Sequence, residues 1–155
     1  MKRMVIALLI VTTSFTLCSP SFGQDVLADH RVRGLKGLSA VTIVFRPNTP
    51  TEIISEKEWA DMVEVRLHRD VPELKLMDTN NAPWLKLSVI TTHAGGSLEL
   101  SVYRWVRILD SKEEILAKVW SDSRTLFGKL SKKSLQESLN TLLTSFAADY
   151  VRSKR

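Results

Sequence analysis

The sequence predicts an α+β fold, a two-layer sandwich in which a mostly antiparallel sheet of four to five strands carries two helices on one face. Three observations predict it. Residues 84–109 hold two strand-period runs split by Ala94-Gly95-Gly96, and apolar residues recur at helical spacing near Trp59 and again from Leu135 to Tyr150. The order β-α-β-β-β-β-α leaves two amphipathic helices to bury one side of the sheet.

The first 23 residues have the grammar of a cleaved secretory signal. Lys2 and Arg3 precede the apolar run Val5–Val11, and Ser21-Phe22-Gly23 places small residues before a cut at Gln24. The apolar core is too short to span a bilayer before Pro20 interrupts it, so no transmembrane helix is expected after cleavage. Leu17 before Cys18 argues against lipidation of that cysteine. The expected location is the periplasm or the exterior.

Removing 23 of 155 residues leaves 132, a common size for one domain. The expected division is a flexible lead-in over 24–36 and a single α+β domain over 37–155. With Lys2 and Arg3 gone, 20 basic residues stand against 17 acidic ones. That balance is mild, and without dense Lys/Arg clusters no nucleic acid is expected as a partner. Cys18 is the one cysteine, so the domain rests on its apolar core without disulfides.

Along the domain, Val41, Ile43 and Phe45 alternate with small or apolar neighbours, as in a strand near the middle of a sheet, and Pro47 and Pro50 end it. Ser55 and Glu58 have capping-box spacing, Trp59, Met62, Val63 and Leu67 share a helical stripe, and Pro72 stops that helix. A short strand over Leu74–Met77 precedes the turn Asp78-Thr79-Asn80-Asn81.

A tight turn at Gly95-Gly96 predicts a hairpin in which Leu85 faces Val106, Leu87 faces Arg104 and Val89 faces Val102. On its other side Trp84 faces Arg107 and Lys86 faces Trp105. A second turn at Ser111-Lys112 sets Val106 against Ala117 and Arg104 against Val119, with Trp105 against Lys118 and Tyr103 against Trp120. Both turns agree on which residues share a face, which supports a three-stranded meander. Asp122 to Gly128 is expected to leave the sheet. Ser131 or Ser134 then starts a helix whose stripe is Leu135, Leu139, Leu142, Leu143, Phe146 and Tyr150.

Little of this carries chemistry. His30, His68 and His93 lack any spacing that converges on a metal, and Ser97 lacks a nucleophile elbow. The Asp78–Asn81 turn lacks the glycine and closing glutamate of a calcium loop. Catalytic residues, metal and cofactor are all expected to be absent, and the protein is expected not to be an enzyme. Arg104 falls on the core face, where it must either run its head to water or meet an acid such as Asp61 or Asp149.

The other face of the meander is unusual. It gathers Trp84, Lys86, Tyr103, Trp105, Arg107, Leu116, Lys118 and Trp120, and so three of the four tryptophans with cations between them. Solvent-facing sheets seldom show this, because large rings left in water need cover. Those eight residues are the candidate binding face. The reading that follows is an exported, non-enzymatic envelope or secreted protein that binds a protein partner or itself. The same face could instead take anionic glycans or lipid headgroups, and a small hydrolase with an unrecognised site is the third option.

In element order alone, the chain resembles small periplasmic α/β accessory domains. Examples are the sheet-and-two-helix domains of outer-membrane assembly lipoproteins and the amino-terminal domain of translocation-associated propeller proteins.

Overall fold

The computed structural model describes residues 30–47, 53–79, 81–92 and 94–155. The signal segment 1–23, the start of the lead-in, Pro50, Asn80 and His93 lie outside the described residues. Residues 30–35 form a helical turn, α1. The elements that follow are β1 (Ala40–Pro47), α2 (Glu56–Asp70), β2 (Lys75–Leu76), β3 (Trp84–Thr92), β4 (Gly95–Arg107), β5 (Glu114–Phe127) and α3 (Lys132–Ser153).

The α+β architecture is the one the periodicities predict. Five strands form one sheet in the order β2-β1-β3-β4-β5, with β1 parallel to both neighbours and β3-β4-β5 an antiparallel meander. One face is apolar. Val41, Leu85, Leu87, Leu98, Leu100 and Val102 are buried there against Trp59, Val63 and Leu67 of α2 and the predicted stripe of α3. Each such side chain contributes roughly 1.5–3 kcal/mol by leaving water. Pairing of Phe45 with Trp59, centroids 6.2 Å apart, ties β1 to α2.

The helix starts follow from their caps. Ser55 Oγ accepts from the Glu58 backbone N–H, but the reciprocal half of the predicted box is replaced, because the Glu58 carboxylate instead meets Lys132 of α3. The complete box belongs to α3, between Ser131 and Ser134.

Three expectations need correction. The hairpin does not turn on Gly95-Gly96. Thr92 pairs with Gly95 and Trp84 with Tyr103, so β4 is displaced by four residues and Gly95 is its first paired residue. Gly95 has φ +149°, and a Cβ there would sit 2.0 Å from the Leu126 carbonyl oxygen. Gly96 is equally tight, since a Cβ there would lie 2.6 Å from the Ile90 carbonyl oxygen, so the glycines serve close strand approach. Because the displacement is even, the side chains of β3 and β4 keep their predicted faces.

Second, β5 does not end near Trp120 but continues to Phe127, with an irregularity between Val102 and Tyr103 of β4. Tyr103 pairs with Lys118 and Val102 with Trp120, which leaves Val119 as an extra residue. Such a bulge inverts the alternation beyond it.

Third, 24–36 is not wholly a free lead-in. Within it, α1 packs on the core side, Leu35 is fully buried, and a Cβ on Gly34 would lie 2.0 Å from the Val119 carbonyl oxygen.

Candidate functional site

The outer face is built by strand alternation. Trp84 and Lys86 come from β3, Tyr103, Trp105 and Arg107 from β4, and Leu116 and Lys118 from β5. Trp84, Tyr103 and Lys118 lie in one row across the three strands, and Trp105 faces Leu116 in the next. Seven of the eight predicted residues are thus brought together. In place of the predicted pair with Lys118, Trp105 meets Leu116, and Arg107 meets Glu114.

Trp120 is the exception. The Val119 bulge turns it to the core, where it is 2% exposed and its ring meets Phe146 edge-on at 5.3 Å. Its Nε1 donates to Asp149 Oδ2 at 3.0 Å, and the Arg31 guanidinium lies 5.1 Å from the ring centroid. Arg31 also pairs with Asp149 at 3.2 Å and Asp122 at 3.6 Å. This cluster fastens α1 to α3 and β5.

Arg104 follows neither predicted acid contact. It stays half-buried on the core side and donates to the carbonyls of Lys36 (2.9 Å) and Gly34 (3.4 Å), at the end of α1. Cations there meet the negative end of the helix dipole.

The cations of the outer face are already engaged. The Lys86 ammonium lies 5.7 Å from the Tyr103 ring centroid, and Lys118 bonds Glu99 at 2.8 Å. That hydrogen bond is the largest cause of the upward shift in the Lys118 pKa. Arg107 Nε donates to the Lys112 carbonyl at 3.3 Å. Glu99 was missed in the sequence, although its place on an outward position of β4 would have marked it as a cross-strand partner for a cation.

Apolar exposure concentrates where β4 and β5 run past β3. Four pairs, Arg104–Ala117 to Arg107–Glu114, form a two-stranded ribbon with no third strand beside it among the described residues. On this ribbon Trp105 is 54% exposed, and at its tip Leu109 is 92% exposed, with Ile108 and Ile115 also in water. Lys112 closes the tip with φ +59°.

Among the described residues, no three His, Cys, Asp or Glu side chains are grouped to hold a metal ion. No described helix is long and apolar enough to cross a membrane. His68 sits on the exposed side of α2, 3.6 Å from Glu64.

Neither a family model nor a curated relative matches the chain. Among solved structures it is similar to a point variant of PelC from Paraburkholderia phytofirmans, described as a dodecamer. Identity there is 12%, the TM-score is 0.40, and the match covers 74% of this chain and 86% of that one. It is similar also to a minor lipoprotein from Acinetobacter baumannii, at 12% identity and TM-score 0.27 over 74% and 91% of the two chains. A third is the rare lipoprotein B of Shewanella oneidensis, at 14% identity and TM-score 0.27 over 73% and 92%. Two of these three neighbours are lipoproteins, and likeness at this level says nothing of the outer face.

Proposed function

We propose that this is an exported, non-enzymatic envelope or secreted protein that binds a protein partner through the outer sheet face, centred on the projecting β4–β5 ribbon. The observation that carries the reading is the exposure of Trp105 beside Leu116, on the ribbon that ends in the exposed Leu109. A tryptophan on a rigid strand loses little side-chain freedom on docking, and such rings are the commonest anchors of protein interfaces.

The engaged state of the cations favours a protein over an anionic glycan or lipid headgroup. Lys118 is neutralised by Glu99, and the ribbon tip carries Asp110, Glu113 and Glu114 among its lysine and arginines. A surface of mixed sign suits a polypeptide with mixed charges better than a polyanion. The test is affinity capture with the wild-type protein beside Trp105→Ala and Trp105→Ala/Leu109→Ser variants. A captured protein should be lost with both variants while the far-UV circular dichroism is unchanged. Capture that survives both variants overturns the assignment of the face, and binding to acidic vesicles or glycans that vanishes at high salt favours the polyanion reading.

A further inference from the structure

β5 closes one side of the sheet, and among the described residues no strand pairs with its outer edge. Free edges expose backbone donors and acceptors that recruit another strand unless the edge is short, broken or covered. β5 has 14 residues. The bulge at Val119 breaks its first half, where Gly34 of α1 presses on the Val119 carbonyl. From Trp120 to Phe127 the strand is regular again and its pairing with β4 is unbroken.

We propose that this segment pairs antiparallel with the same segment of a second copy of the chain, about a two-fold axis through Ser123. Charge complementarity selects the occupant and the register together. On the core side the segment presents Asp122 and Arg124. Asp122 has Arg31 at 3.6 Å on its own chain, whereas Arg124 is exposed without an ion pair among the described residues. With the axis at Ser123, Asp122 of each copy faces Arg124 of the other, and Trp120 faces Leu126. Moving the axis by one residue sets Asp122 against Asp122 or Arg124 against Arg124, and directly opposed like charges oppose pairing. A two-fold axis normal to the sheet also keeps the two core faces on one side, so the helices of both copies fall on the same layer.

Arg124 borders a groove between β5 and α3 lined by the short side chains of Asn140, Thr141, Thr144 and Ser145, and Arg31 of α1 closes one end of it by donating to Ser145 at 3.2 Å. The joined sheet would have ten strands, with the two outer faces side by side. Pairing along this edge is independent of what those faces bind.

The test uses the full chain carrying Cys18→Ala, so that no native thiol remains. Opposed residues of an antiparallel pair have Cα atoms about 4.5–5.5 Å apart, within the span a disulfide needs. Ser123→Cys should therefore give a disulfide-linked dimer in air, whereas Ser121→Cys, whose copies each face Thr125 instead, should stay unlinked. In sedimentation the parent protein should run as a dimer and Arg124→Asp as a monomer. The swap Asp122→Arg/Arg124→Asp should restore the dimer, since the opposite charges face each other again. A monomeric parent, equal linking at positions 121 and 123, or an Arg124→Asp protein that stays dimeric would each overturn the proposal.

Discussion

The indole of Trp120 donates to Asp149 at 3.0 Å, and the same carboxylate receives Arg31 at 3.2 Å, so one acid on α3 holds a strand and the α1 helix at once. Removing it leaves a buried indole N–H and a half-buried guanidinium without their shared partner. Asp149→Ala should therefore cost about 1–3 kcal/mol. The measurement is urea denaturation, and the midpoint should fall with the m-value unchanged.

The two tryptophans Trp105 and Trp120 should behave oppositely. Trp120→Ala empties a closed site and should cost about 3–5 kcal/mol. Trp105→Ala removes a ring that is mostly in water and should change stability by no more than about 0.5 kcal/mol. The same denaturation series compares them, and similar losses from both would contradict the bulge.

The α1 segment belongs to the folded unit. Leu35 is fully buried, so Leu35→Ala should cost about 2–5 kcal/mol. Gly34→Ala should also be strongly destabilising, because its Cβ would collide with the Val119 backbone. Hydrogen exchange should show amides of 33–38 opening with the sheet; exchange at the rate of a free chain would detach the segment from the core.

Lys112 holds a left-handed backbone, φ +59°, at the ribbon tip. A side chain there costs about 1–2 kcal/mol relative to glycine's tolerance, partly offset by glycine's greater freedom when unfolded. Lys112→Gly should raise stability by about 0.5 kcal/mol in thermal or urea unfolding.

Acid should loosen α2 at both ends. Hydrogen bonding to Arg69, and next to Arg66, lowers the pKa of Asp70, and the bond to Lys132 lowers that of Glu58. A carboxylate with a lowered folded pKa contributes fully above its unfolded value, about 4, and loses that contribution as pH falls through the folded value. Asp70→Asn should thus lower the melting temperature at pH 7, and the gap to wild type should close below about pH 4. A gap that stays constant across that range would mean the Asp70 pairs add nothing.

Much of the fold was legible because alternation and helical period survive errors of detail. The Gly95-Gly96 turn was displaced, yet Leu85, Leu87 and Val89 still faced the core, because the error was an even number of residues. The second turn was likewise off by two residues and kept Trp105 outward. What could not be read was the single extra residue at Val119, since a bulge leaves no period of its own, and that one residue moved Trp120 from the face to the core. The packing of α1 was hidden for a related reason. Its burial depends on Leu35 and Gly34 meeting a distant strand, and six helical residues are too few to show a stripe.

The inserted residue in β5 has a consequence for how that strand tolerates change. Before Val119 the odd-numbered side chains look toward the helices, and after it the even-numbered ones do. Polarity at the two ends of β5 is therefore constrained on opposite parities, and the halves can vary independently. Excising Val119 would leave Lys118 outward and Trp120 inward on a continuous ladder, so neither half would have to re-sort its side chains. What would vanish is the protruding carbonyl against which Gly34 lies, and with it the seat that fits α1 to this edge.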